Sequence, residues 1–260
     1  MRTSKEQFDR QAAHYDAEWN NWSKETLDWL VASADPKLTD QVLDVATGAG
    51  FTALAFAPKS AAVVGTDVST GMLEQAMKNA SAAHIFNVQF KEAPAEDLPF
   101  DDEMFDIVVC RVAAHHFVDI KAFAAESFRV LKKGGRLVIA DTSVPDNDFL
   151  AAIWQNEVER IRDTSHSKNY TLKEWSKILG RPGFQIESIS DSGGGIRIPL
   201  SSWIRKAGCT DDQESDVRQK FAEASQNVKA KYKIEDDENG ETSFTWMRIL
   251  IKAVKPAPPA

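Results

Sequence analysis

Apolar residues along this chain fall in short runs separated by stretches of helical periodicity, the pattern of strands alternating with helices. Runs near 41–46, 61–67, 87–91, 105–110 and 136–141 read as strands, with two more at 184–190 and 243–254. One intervening helix starts at about Ser69 and turns Met72, Leu73, Ala76 and Met77 inward. Another starts at Asp119, turns Ile120, Phe123 and Leu131 inward, and is stopped by Gly134-Gly135. This alternation predicts an α/β fold: a parallel sheet with helices on both faces and a ligand at the carboxyl ends of the strands.

Three segments look extra to that core. Residues 1–37 read as aromatic-rich helices. Residues 146–180 carry Phe149, Leu150, Ile153, Trp154, Val158 and Ile161 at helical spacing. A capping box, Thr171-x-x-Glu174, then opens a helix with Leu172, Trp175, Ile178 and Leu179. Residues 200–234 bring Trp203, Ile204 and a charged helical stretch from Asp211 to Tyr232. We read the three as a cap on a single domain, 1–260, whose ligand-binding core spans about 38–145 with 184–190 and 243–254.

Composition narrows the chemistry. A chain of 260 residues, 43% hydrophobic, suits one domain with a core and a cap. A net charge of −8 argues against a large nucleic-acid surface, which needs clustered Lys and Arg. Two cysteines far apart in sequence, Cys110 and Cys209, fit a reduced compartment, and no apolar run follows Met1 or approaches bilayer-spanning length. The expectation is a cytoplasmic protein without membrane insertion. No Cys, His and Asp spacing matches a metal site, so no metal is expected.

The most informative stretch is Val42-Leu43-Asp44-Val45-Ala46-Thr47-Gly48-Ala49-Gly50. An apolar strand ends at an acid, a glycine turn follows, and a helix opens at Phe51. Asp67 closes the next strand 19 positions after Gly48. Glycines let backbone approach a ligand, and an acid at that distance reaches a ribose hydroxyl pair, so a nucleoside cofactor is implied. Gly48-x-Gly50-x-x-Ala53 also fits a dinucleotide fingerprint. Asp44 separates the two readings: a pyrophosphate disfavours a carboxylate beneath it, whereas S-adenosylmethionine (SAM) presents a cationic amine and a sulfonium. The alternative for Asp44 is that it merely braces the turn.

Further blocks follow in order: Val63-Val64-Gly65-Thr66-Asp67-Val68-Ser69, Ala95-Glu96-Asp97-Leu98-Pro99-Phe100, Phe105-Asp106-Ile107-Val108-Val109-Cys110, and Phe128 to Ile139 through Lys132-Lys133-Gly134-Gly135. Together they resemble the class I SAM-dependent methyltransferases, in particular the type 11 small-molecule group that includes the ubiquinone and menaquinone C-methyltransferases. The resemblance is strong over 40–145, weaker at Phe8–Trp19 and only general beyond 145. It implies a Rossmann-like doubly wound sheet of seven strands, order 3-2-1-4-5-7-6, with strand 7 antiparallel.

The resemblance also implies site roles. Ala46, Thr47, Gly48 and Gly50 would wrap the methionine part of SAM, although related chains usually have glycine where Ala46 stands. Asp67 would accept both ribose hydroxyls, Val68 and Met72 would flank adenine, and the Ala95 N–H would serve the ring. Pro94 stands where relatives place an acid for the adenine amino group, leaving Glu96 or Asp97 as substitutes. Arg111 would contribute mainly backbone near the methionine amine. Tyr15 sits where a tyrosine commonly closes over the site, with Trp19 and Trp22 extending that wall. His115 and His116 follow strand 4, where the family lines the transfer site; being adjacent, at most one should face the pocket. Either could take a proton from the acceptor, although alignment and exclusion of water carry most of a methyl transfer. Trp154, Tyr170, Trp175 and Trp203 are further candidates for the acceptor wall.

The Asn-Pro-Pro-Tyr type of sequence found in many macromolecule methyltransferases is absent after strand 4. The expected function is methyl transfer from SAM to an O, N or C nucleophile of a small, partly aromatic or apolar acceptor. The alternatives are a non-catalytic SAM-binding regulator and an NAD(P)-dependent oxidoreductase. The cap surfaces suit either substrate or self-association as a homodimer.

Overall fold

Seven strands form one mixed sheet in the computed structural model, which describes residues 4–11, 24–191 and 197–257. In chain order they are β1 (Gln41–Val45), β2 (Ala62–Asp67), β3 (Val88–Glu92), β4 (Phe105–Arg111), β5 (Leu131–Ser143) and β6 (Gln185–Asp191), completed by β10 (Met247–Val254). Their spatial order is β3-β2-β1-β4-β5-β10-β6. β10 runs antiparallel to both neighbours, and the other pairings are parallel. This is the expected 3-2-1-4-5-7-6 order with an antiparallel seventh strand.

The central strands are apolar on both sides because helices cover both faces. Val42, Val63, Ile107, Val109 and Val138 pack on Leu30 and Ala34 of α2 (Lys24–Ala34) and on Phe56 of α3 (Phe51–Phe56). Leu43, Val108, Cys110, Leu137 and Ile139 face Phe123 of α5 (Ile120–Val130) and Trp175, Ile178 and Leu179 of α7 (Leu172–Gly180). The predicted capping box opens α7: Thr171 Oγ1 accepts from the Glu174 N–H, and Glu174 Oε2 from the Thr171 N–H. Between β2 and β3, α4 (Thr70–Ala82) buries Met72, Leu73 and Ala76.

Two element boundaries depart from expectation. α5 ends at Val130 rather than Gly134, because Leu131 pairs opposite Phe105 and Lys132 Nζ reaches the Asp106 carboxylate at 2.8 Å, so these residues extend β5. The run 243–254 is broken at Trp246. Its first part, β9 (Thr242–Thr245), joins β7 (Arg197–Pro199) and β8 (Glu235–Asp236) in a separate three-stranded antiparallel sheet, order β7-β9-β8.

Of the segments expected as a cap, α2 and α7 pack on the main sheet itself, while the small sheet stands apart from it with α6 (Phe149–Arg162), α8 (Leu200–Ala207), α9 (Asp211–Ala222) and α10 (Gln226–Tyr232). The charged stretch expected as one helix divides into α9 and α10, and Ser225 caps the second through the Val228 N–H. Val158, Trp203, Phe221, Tyr232, Phe244 and Trp246 share an apolar cluster distinct from the two that flank the main sheet. α6 follows its apolar pattern only in part: Trp154, Val158 and Ile161 pack in that cluster, Phe149 and Leu150 are 77% and 71% exposed, and Gln155, Asn156 and Glu159 are buried. A helix that turns amides and a carboxylate inward faces something polar.

Candidate active site

The carboxyl ends of β1, β2, β4 and β5 open into one cavity of about 1060 Å³. One half is built on the glycine loop. Ala46 and Gly48 both have left-handed backbone, φ 57° and 53°, so the chain turns sharply at the end of β1. Ala46 accepts a conformation that costs a side-chain-bearing residue about 1 kcal/mol, which accounts for the family's preference for glycine there. Asp67 closes the turn from β2: its Oδ2 accepts the Gly48 N–H and its Oδ1 the Ser69 N–H, both at 2.9 Å. Val68 and Met72 continue the wall, followed by Pro94, Ala95 and Glu96.

Helix α1 (Ser4–Gln11) lies across this half. Lys5 pairs with Glu92, and Asp9 Oδ1 accepts from the Ser69 hydroxyl at 2.6 Å and the Gly71 N–H at 3.1 Å. Gln7 donates to the Ala207 carbonyl in the cap at 3.1 Å. Phe8 lines the cavity and meets His116 edge to face, ring centres 4.9 Å apart.

The other half lies past β4 and β5. His115 and His116 end a single 3-10 turn, Ala114–His116, and both line the cavity. This corrects the expectation that only one could: the tight turn sets the two rings 4.2 Å apart and tilted by 44°, along the same wall. Asp141, on β5, clamps His115 twice, with Oδ1 2.6 Å from Nδ1 and Oδ2 accepting the backbone N–H at 3.1 Å. His116 turns Nδ1 toward the Ser165 carbonyl and hydroxyl. Thr142, Glu159, Arg162, Asp163, Ile198, Trp203, Trp246 and Arg248 complete this half.

These positions set the protonation states. Burial alone would lower the His115 imidazole, but the Asp141 carboxylate more than offsets it and the net shift is upward. Burial, with His115 beside it, lowers His116 to about 4, so it is neutral at pH 7. Burial likewise lowers His166, whose Nε2 lies 3.1 Å from Asn156 Oδ1. Burial raises Asp67 and Glu159. Burial would raise Asp163 as well, but His116 and the Ser165 hydroxyl outweigh it and hold its carboxyl below the usual range.

Most of the expected cofactor residues line the cavity: Ala46, Thr47, Gly48, Asp67, Val68, Met72, Ala95, Glu96 and Arg111. Asp44 and Gly50 stand behind the wall. Asp44 Oδ2 accepts the Thr47 hydroxyl at 2.6 Å, so the carboxylate braces the turn from below. Gly50 has φ 85°, and a Cβ there would stand 2.9 Å from Ala76 Cβ, so glycine is needed for α3 to start close to α4. Arg111 contributes its side chain too, Nε donating to Thr52 Oγ1 at 2.9 Å. Glu96 Oε1 is already taken by the Val118 N–H, and Asp97 does not line the cavity. Of the four cap aromatics only Trp203 does; Trp154 and Trp175 are packed into the cores. Tyr15, Trp19 and Trp22 lie outside the described residues.

Asp44 yields a stability prediction. Burial pushes its carboxyl up to about 7 from an unfolded value of 3.8. Between those limits the folded chain holds a proton that the unfolded chain releases, so this group's contribution to stability falls as pH rises. Asp44→Asn should therefore stabilise the ligand-free protein above pH 7, by on the order of 2–4 kcal/mol. In thermal unfolding the gain should shrink on acidification and vanish near pH 4. A variant that is less stable at pH 8 would contradict this account of Asp44.

Comparison with known proteins agrees with this geometry. A family profile described as "Methyltransferase domain" matches residues 43–139. The uncharacterized methyltransferase YcgJ of Bacillus subtilis is 33% identical over 254 residues, covering 97% of this chain and 99% of that protein. The chain belongs to the class I SAM-dependent methyltransferases, type 11 group. The YcgJ crystal structure superposes on this methyltransferase with a TM-score of 0.84 over 90% of this chain and 99% of that one. A demethylmenaquinone methyltransferase of Clavibacter sepedonicus is 38% identical over 191 residues, 69% of this methyltransferase and 71% of its own length. At the level of fold alone, geranyl diphosphate C-methyltransferase from Streptomyces coelicolor A3(2), solved with S-adenosyl-L-homocysteine, gives a TM-score of 0.64 at 15% identity, covering 89% of this methyltransferase and 78% of that chain.

Among the described residues, no group of three His, Cys, Asp or Glu side chains is placed to hold a metal, and no helix is long and apolar enough to cross a membrane.

Proposed function

We propose that this methyltransferase uses SAM to methylate an O, N or C nucleophile of a small organic acceptor, in the cytoplasm. The carrying observation is that the glycine loop with Asp67 and the His115–Asp141 pair open into one continuous cavity.

The loop fits the cofactor. A Cβ on Gly48 would meet nothing within 4 Å, so open space lies beside the Asp67 carboxylate. Asp67 would hold the ribose hydroxyls, Thr47 and Gly48 the methionine end, and Val68 and Met72 the adenine faces. When bound, SAM supplies an electrophilic methyl group on a sulfonium. The chain's own contribution is to close α1 over the cavity, exclude water and align the acceptor. His115 spends Nδ1 on Asp141, which leaves Nε2 to take the proton that an O–H or N–H nucleophile must lose.

Calorimetric titration with SAM, S-adenosylhomocysteine and NAD(H) tests the reading. Micromolar binding of the two adenosyl ligands alone is expected. Binding of NAD(H) in their place would overturn it, and adenosyl binding without turnover on any acceptor would favour the regulator instead.

A further inference from the structure

The turn that carries His115 is held from two sides. On the sheet side, Asp141 takes the His115 ring and its backbone N–H. On the cap side, residues 163–169, which follow α6, take its carbonyl: the Ser167 and Lys168 N–H groups both donate to it, at 2.9 and 3.0 Å. The same loop meets the next histidine, with the Ser165 carbonyl and hydroxyl 3.3 and 3.2 Å from His116 Nδ1. Within this loop only Asp163 lines the cavity. The rest of it acts on the site through the histidine turn.

The path of the loop is set from within by Asn156, a buried residue in the middle of α6. Asp163 folds the first residues by accepting from the Ser165 N–H and hydroxyl, and Arg160 donates to the Ser167 carbonyl at 2.9 Å from the surface. Asn156 secures the far end. Its Oδ1 accepts the Asn169 N–H at 2.7 Å and lies 3.1 Å from His166 Nε2, and its Nδ2 donates to the Ala152 carbonyl at 3.0 Å. A backbone N–H requires an acceptor, so the oxygen must face Asn169, and His166 must then carry its proton on Nε2. Asn169, fully buried, carries the network to the sheet: Nδ2 donates to Glu159 Oε1 at 2.9 Å, and Oδ1 accepts the hydroxyl of Thr142, the residue after Asp141.

We propose that Asn156 is a positioning residue for methyl transfer: by fixing residues 163–169 it holds the His115 carbonyl and keeps the ring aimed at the proton of the acceptor. The inference rests on the reading of His115 as the proton acceptor. Asn156 does not line the cavity, so its part is not contact with the acceptor. An apolar side chain there would leave the Asn169 and His166 N–H groups buried without acceptors, and the loop would have to move to satisfy them.

Full-length protein, free and saturated with S-adenosylhomocysteine, is compared by proton NMR well below its unfolding temperature. The wild type should show a far-downfield line from the His115 Nδ1 proton shared with Asp141, assigned by its loss in His115→Gln. In Asn156→Ala that proton should exchange with water at least about tenfold faster, broadening or abolishing the line, with S-adenosylhomocysteine affinity within about twofold of wild type. Asn156→Asp keeps an oxygen for the Asn169 and His166 N–H groups and should restore the line. Asn156→Ser carries the same comparison if the alanine protein does not fold. A role confined to packing α6 would lower the unfolding temperature and leave the line as in the wild type, and that result overturns the inference. Absence of the line from the wild type would instead overturn the Asp141 clamp, and the inference with it.

Discussion

Asp67→Ala should weaken S-adenosylhomocysteine binding at least a hundredfold. In the ligand-free protein Asp67 already holds the glycine loop, with its two oxygens taking the N–H groups of Gly48 and Ser69. Each oxygen keeps a further lone pair for one ribose hydroxyl. The substitution removes both acceptors from the ligand and both anchors from the loop. Hydrogen bonds to a charged group contribute about 1.5–3 kcal/mol each, so two lost ribose contacts alone correspond to a factor of about 10² or more. Thermal unfolding of the ligand-free variant separates a binding defect from a folding defect, and Asp67→Asn should fall in between. Near-normal affinity in a folded Asp67→Ala protein would remove Asp67 from the site.

The cofactor half was legible in the sequence because it is local. A strand-end acid, a glycine turn and a second strand-end acid sit within a few dozen residues, and backbone conformation dictates the residue types. Gly48 and Gly50 are glycines because the chain is left-handed there. The acceptor half joins distant segments and had no such spacing. Asp141 carries the same signal as Asp44 and Asp67, an acid ending an apolar strand, and that signal could have found it. Glu159 and Asp163 were hidden by apolar periodicity, which pointed to Phe149, Leu150, Ile153, Trp154, Val158 and Ile161 as the inward face of α6; the last three do pack in the apolar cluster. The structure exposes Phe149, Leu150 and Ile153 and buries Gln155, Asn156 and Glu159. A helix that lines a polar cavity is read wrongly by a rule built on apolar cores. The small sheet escaped because its strands span only two to four residues. Tertiary pairing, not local pattern, makes them strands.

The division of labour between the two adjacent histidines gives the other large effect. Asp141→Asn should lower kcat by a factor of about 10² to 10⁴ and leave S-adenosylhomocysteine affinity within about twofold of wild type, because Asp141 acts on His115 and lies outside the glycine loop. The carboxylate fixes the His115 ring through Nδ1 and stabilises the imidazolium formed when Nε2 takes a proton. The neutral, proton-accepting form of His115 predominates only above its raised pKa. The wild-type rate should therefore climb with pH through an inflection above the ordinary histidine value. Without the carboxylate the upward pull is gone, so the inflection of the residual activity should move to lower pH. His116 is held neutral by burial, with its pKa near 4 and Nδ1 engaged by Ser165. His116→Ala should accordingly leave the position of the inflection unchanged, its effect confined to the lost contacts with Phe8 and Ser165. The reverse result, a lost inflection in His116→Ala and an intact one in Asp141→Asn, would transfer the proton-accepting role to His116 and leave the Asp141 clamp a structural one.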